Sequence, residues 1–303
     1  MSEPKKVTVI HHSADFDGFF CREIARKFLP GAELIGWDYG DPLISMPPEG
    51  MVYIMDLSPE CLAETHGGEA VPYWDRIIWI DHHKSAIEKF SNEIFGYRID
   101  GVAACRLAYA WFTSNQFDIQ VHPSDWRLPT KQDFIDRTVI EPLAVRLAGE
   151  YDIWDKRDPS VDVFQMGLRS RSLTADDWKW MLSDNDNGIV QELLHCGVML
   201  QDYQHRSDEL AMRNSFVVEF EGLKFLALNT PGKGSMAFRS LDVPETGHDA
   251  LFKFNWTGKV WDCSMYHAAH RNDLDLSAIA IKYGGGGHRG ACGFRVEKLP
   301  FLP

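Results

Sequence analysis

Short apolar runs that end in acidic or imidazole side chains recur through the first third of the chain. Residues 7–10, rich in β-branched side chains, predict a buried strand that gives way to His11-His12-Ser13-Ala14-Asp15-Phe16-Asp17-Gly18. Phe19, Ile24, Ala25 and Phe28 then recur at helical spacing, so the segment reads as strand, polar turn, helix. Residues 32–39 predict a second strand, and residues 51–58 a third that again closes on an aspartate, Asp56. A fourth, residues 76–80, delivers Asp81-His82-His83. A parallel sheet brings such strand ends to one edge, where open α/β folds place their ligand sites.

Beyond Gly101 the pattern becomes helical. Residues 102–112 carry a broad face of small apolar side chains, and residues 130–149 predict a second long helix through Phe134, Ile135, Val139, Leu143, Val145 and Leu147. It leads into Glu150-Tyr151-Asp152-Ile153-Trp154-Asp155-Lys156. Residues 115–129 predict a loop, a short helix opens at Thr174, and Asp184-Asn185-Asp186-Asn187-Gly188 is the strongest linker signal. A polar helix follows to about Asn214. Alternating patterns at 216–220, 223–228, 250–256 and 260–266 then predict strands, and residues 274–283 a short helix. The expected fold class is α/β. Residues 1–185 form a parallel-sheet domain with helices on both faces, residues 186–214 a linker helix, and residues 215–303 a smaller α+β domain.

Composition narrows the chemistry. The 303 residues carry a net charge of −13, which argues against gripping long duplex nucleic acid through a broad basic face. A short or small anionic ligand remains open. The six cysteines form no CxxC pair, so neither a disulfide framework nor a zinc knuckle is suggested and a reducing, cytoplasmic location is expected. No apolar run reaches the roughly 18 residues needed to span a membrane.

Asp15 or Asp17 alone also reads as a helix cap, and Asp56 alone as a helix entry. Together with Asp81, His82 and His83 they imply a divalent ion, because several carboxylates at one sheet edge repel without a cation between them. Mixed imidazole and carboxylate donors without thiolate favour Mn²⁺ over structural zinc, with Mg²⁺ and Co²⁺ as the other candidates. Near the C-terminus, Gly284-Gly285-Gly286-Gly287-His288-Arg289 predicts an anion-binding loop of open backbone N–H groups with two added donors.

His11-x-x-x-Asp15-x-Asp17, the strand-end Asp56, Asp81-His82-His83 and the C-terminal Gly-Gly-Gly-His together resemble the DHH/DHHA1 phosphoesterase superfamily, which includes RecJ-type exonucleases, nanoRNases, cyclic-dinucleotide phosphodiesterases and a pyrophosphatase branch. The resemblance implies a DHH domain over residues 1–185 and a DHHA1 domain over residues 215–303, with two metals, usually manganese. It implies that His11 and Asp15 hold one metal, Asp17 and His82 the other, and that Asp56 bridges them. Asp152 is the best match to the last ligand, with Asp155 as its competitor. Asp81 would orient the ligands, His83 would face the substrate phosphate, and Gly285, Gly286, Gly287, His288 and Arg289 would clamp the substrate. The implied activity is hydrolysis of short oligoribonucleotides or linear dinucleotides to mononucleotides by a two-metal-activated hydroxide. The alternatives are a phosphatase or phosphodiesterase on 3′-phosphoadenosine 5′-phosphate or cyclic dinucleotides, and a non-catalytic nucleotide sensor. No membrane partner is expected, and a homodimer is compatible with the sequence.

Overall fold

The computed structural model describes residues 6–63, 74–90, 94–114, 129–136, 140–183, 188–232, 234–238 and 247–301. Most of the 115–129 loop and of the 184–188 linker signal lies outside them. The described chain divides into two compact units, residues 1–200 and 201–303.

The first unit is built on five parallel strands, β1 (Val7–His12), β2 (Glu33–Trp37), β3 (Met51–Met55), β4 (Ile77–Asp81) and β5 (Phe95–Arg98), in the order β2-β1-β3-β4-β5. Alternate side chains of these buried strands feed two separate cores. Val9, Tyr53, Met55, Ile78 and Ile80 pack with α1 (Phe16–Phe28), α3 (Ala104–Thr113), α5 (Leu143–Asp152) and α6 (Ser160–Leu168). Ile10, Val52, Ile54, Ile77 and Trp79 pack on the opposite face with α2 (Lys84–Phe90). Helices therefore cover both faces, as the apolar runs require. The strand order reverses between β1 and β3, and such a switch point opens a crevice beyond the carboxyl ends of the two strands.

Two local expectations are corrected. The single helix expected over 130–149 is two, α4 (Lys131–Asp136) and α5, because Pro142 stands at the entry to α5 with φ −57° and ψ 142°. Proline has no N–H to continue a helix from upstream, yet starts one well. The glycine run is not an open loop throughout: β10 (Gly286–His288) pairs antiparallel with β11 (Ala291–Val296).

After α7 (Ala175–Met181), α8 (Ile189–Met212) runs from the first unit into the second. The second unit carries a mixed sheet, β10-β11-β9-β8-β7-β6, completed by β6 (Phe216–Phe220), β7 (Leu223–Asn229), β8 (Ala250–Trp256) and β9 (Trp261–His267). Only β7 and β8 run parallel. Phe220, Phe225, Phe252, Phe254 and Phe294 pack there with Ile279 and Ala280 of α9 (Ser277–Lys282). Among the described residues no helix is long and apolar enough to cross a membrane.

Candidate metal centre

The carboxyl ends of β1, β3 and β4 deliver their polar residues to the crevice at the switch point. Asp15 caps α1, accepting from the Gly18 N–H at 3.0 Å. Its other oxygen lies 2.9 Å from His12 Nδ1. Asp56 follows β3 with a left-handed backbone, φ 59°. Its Oδ2 is 3.5 Å from His12 Nδ1 and its Oδ1 3.4 Å from His82 Nε2. That same Nε2 lies 3.7 Å from Asp17 Oδ2 and 3.3 Å from Asp152 Oδ2. Three sets of donor atoms, each within 4.8 Å of one another, emerge: His12, Asp15 and Asp56; Asp17, His82 and Asp152; and Asp56, Asp81, His82 and His83.

One sequence expectation is corrected. The structure brings His12 into the cluster and not His11. Neighbouring residues of a strand point to opposite faces, and His11 is buried, its ring packed beside Gly36 of β2 and its Nδ1 2.7 Å from the His12 carbonyl oxygen. Burial holds the His11 imidazole below its ordinary pKa. The motif spacing does not say which of two adjacent imidazoles faces the crevice. Asp38 was also missed, although it follows β2 as Asp56 follows β3. Its Oδ1 sits 3.2 Å from His12 Nε2, the arrangement by which a carboxylate orients a metal-bound imidazole.

Asp152, at the end of α5, belongs to the cluster. Asp155 does not: Arg157 and Lys131 pair with it at 2.6 and 3.4 Å, and the Arg157 contact pulls its carboxyl down to about 2. Asp81 is fully buried and accepts from the backbone N–H groups of His82 and His83 at 2.8 and 3.3 Å. Its Oδ1 also holds His83 Nδ1 at 2.7 Å, leaving the half-exposed His83 ring oriented at the rim. In the second unit Gly285, Gly286, Gly287, His288 and Arg289 are all exposed. Arg289 donates to the Asp273 carbonyl at 3.1 Å and lies 3.8 Å from Asp275.

The electrostatics call for a cation. Burial, then the neighbouring Asp56 charge, pushes the Asp17 carboxyl up, and burial with the Asp17 charge takes Asp152 up to about 7. His12, ion-paired with the Asp15 and Asp56 carboxylates, is held up at about 11. Burial lowers His82, but Asp56 and the charges of Asp17 and Asp152 overcome it and leave it at about 10. Without metal the site thus stays balanced by retaining protons on imidazoles. Among the described residues the buried Asp56 Oδ2 and Asp81 Oδ2 accept no hydrogen bond, although buried carboxylate oxygens are costly to leave so. Oxygen and imidazole donors in this number fit hard divalent ions such as Mn²⁺ or Mg²⁺.

No family model matches the chain. The uncharacterized protein R106 of Acanthamoeba polyphaga mimivirus is 24% identical over 260 residues, covering 72% of this chain and 59% of the viral protein. The chain thus spans less than two thirds of the length of that curated relative. The solved structure of the pGpG-specific phosphodiesterase PggH of Vibrio cholerae matches with a TM-score of 0.52 at 12% identity, over 97% of this chain and 94% of its own. RecJ of Thermus thermophilus, in complex with Mg²⁺, matches with a TM-score of 0.46 at 14% identity, over 98% of this chain and 48% of its own. At 12% identity the likeness to PggH is one of fold.

Proposed function

We propose, for a chain that carries the fold and motifs of the DHH/DHHA1 superfamily, that it is a metal-dependent phosphoesterase acting on phosphodiester bonds of short oligoribonucleotides or linear dinucleotides. The observation that supports this most is the set of five carboxylates and three imidazoles gathered at the β1/β3 switch point, where the buried Asp56 Oδ2 accepts no hydrogen bond from the described residues. His12, Asp15, Asp17, Asp56, His82 and Asp152 would hold two divalent ions, Mn²⁺ first among them. Such ions lower the pKa of water toward neutrality and stabilise charge on a phosphoryl group.

The chain's own residues would do the rest. Asp38 and Asp81 hold His12 and His83 in fixed orientations, so the imidazoles meet their ligand without reorganising. His83 stands at the rim beside the buried site, where it would donate to a phosphate oxygen. Its tie to Asp81 raises its pKa and so favours the protonated, donating form. In the second unit His288 and Arg289 would supply exposed donors to phosphate. The net charge of −13 disfavours tracking along long duplex.

The test is a substrate panel: linear pApA and pGpG, RNA of two to five nucleotides, 3′-phosphoadenosine 5′-phosphate and cyclic dinucleotides, each with Mn²⁺, Mg²⁺ or Co²⁺ and with chelator. The reading expects metal-dependent release of mononucleotides from the linear dinucleotides. Failure to cleave any linear dinucleotide with any of the three ions would overturn it.

A further inference from the structure

Trp154 sits where its chemistry is least expected. It ends α5 in a Schellman arrangement, the Asp155 N–H donating to the Glu150 carbonyl at 2.8 Å and its own N–H to the Tyr151 carbonyl at 3.1 Å. This position takes a left-handed backbone, here φ 55°, which glycine adopts freely and a bulky residue does not. Packing does not explain the choice, because Trp154 is 67% exposed. A strained conformation kept without burial points to use of the side chain.

The ring does not stand alone. It stacks on Tyr151 at 6.0 Å with an interplanar angle of 27°. Lys156 Nζ lies 3.9 Å from its centroid and 5.1 Å from that of Tyr151, while also pairing with Asp162 at 2.5 Å. The Arg169 guanidinium lies 5.4 Å from the Tyr151 ring and 6.0 Å from that of Phe16. Three aromatic rings thus alternate with two cations along one strip. The strip abuts the cluster covalently: Tyr151 precedes Asp152, and Phe16 lies between Asp15 and Asp17.

We infer that this strip is a nucleobase-stacking subsite, with Trp154 its principal platform, selecting linear nucleotide substrates by the base of a residue next to the bond at the metals. The inference rests on the phosphoesterase reading and adds the substrate feature it recognises. Aromatic faces accept any base, and the interleaved cations favour an occupant that is itself anionic. A single-stranded nucleotide is both flat and charged. An apolar peptide or lipid would gain nothing from Lys156 and Arg169.

Calorimetric titration with Ca²⁺ in place of a catalytic ion tests binding without turnover. The ligands are pApA and the same dinucleotide with one base removed, and the proteins are the parent, W154G and W154F. Glycine suits the left-handed backbone, so W154G keeps the helix end and removes only the ring. The strip predicts that W154G weakens pApA about tenfold, within the range of base–aromatic stacking. It predicts no change for the abasic ligand and recovery of most affinity in W154F. Equal effects on both ligands, no effect on either, or no pApA binding by the parent would overturn it. A chain that cleaves dinucleotides while W154G binds pApA as the parent does would sink the strip alone. Parent and variant both failing to cleave, with base-dependent binding intact, would sink the hydrolase reading alone.

Discussion

Gly18→Ala sets two physical effects of opposite sign against each other at the floor of the metal centre. Gly18 is the third residue of α1, and alanine is favoured over glycine within a helix by about 1 kcal/mol, so propensity alone predicts a stabler protein. The structure predicts the reverse. A Cβ at Gly18 would lie 2.1 Å from the His12 carbonyl oxygen and 2.7 Å from both the His12 carbonyl carbon and its Cβ. Ordinary contact begins near 3.4 Å, so α1 and the end of β1 must separate by about 1.3 Å. Neither side can yield by a rotamer change, because the opposing atoms are backbone and Cβ. Overpacking of this kind costs typically about 1–3 kcal/mol, enough to cancel the propensity gain and leave a net loss. The displaced strand end also carries His12 away from Asp15 and Asp56, and a disturbed ligand orientation lowers metal affinity about 10- to 100-fold. Urea denaturation in chelator and calorimetric titration with Mn²⁺ measure the two consequences separately. A variant with a raised urea midpoint and parental Mn²⁺ affinity would refute the reasoning.

Without metal, stability should fall as the solution becomes alkaline. His12 and His82 are held at about 11 and about 10 in the folded chain against about 6.5 when unfolded. Their contribution is therefore complete below pH 6.5 and lost as pH rises through those higher values. Asp152, raised to about 7, acts in the same sense between pH 4 and 7. Denaturation midpoints in chelator that rise from pH 6 to pH 9 would contradict this, and saturating Mn²⁺ should flatten the trend. Asp152→Asn should abolish metal-dependent turnover, whereas Asp155→Asn should cost only about 1 kcal/mol of surface pairing and leave turnover near parental; activity assays with urea melts decide. His12→Ala should lower Mn²⁺ affinity in calorimetry by tenfold or more. His11→Ala should instead lower the urea midpoint through a core cavity while the affinity stays within a few-fold.

The sheet edge was legible because β1, β3 and β4 are each a short apolar run that stops at a polar residue, a pattern that survives without knowledge of packing. Asp56, Asp81 and His82 could be placed from it directly. What it could not convey was which way a strand end faces. His11 and His12 are chemically identical, and only the pleat of β1 against Gly36 separates them. The same pattern held Asp38, overlooked because the second strand was expected to run on to residue 39, whereas β2 ends at Trp37. Helix α6 went unread although Val161, Phe164 and Leu168 keep helical spacing, since its nine residues follow a proline and a cluster of charges. Strand β5 is four residues long and contains Gly96 and the fully buried Arg98, so it shows no apolar signature. The run of glycines has no side chains to reveal whether it pairs, and it does.

Asp17 touches more than its imidazole neighbour. Its carboxylate accepts from the Ala104 N–H at 2.8 Å and the Cys105 N–H at 2.7 Å, supplying from 87 residues away the cap that α3 lacks locally. One side chain thereby belongs at once to the cation site and to the start of a core helix. An ion that draws on Asp17 must be felt by those two amides, so their deuterium uptake becomes a substrate-free gauge of occupancy. Sequence drift at this position is also doubly restrained, since a neutral amide, with one acceptor oxygen in place of two, would lose one of these N–H bonds and bring no charge to the ion.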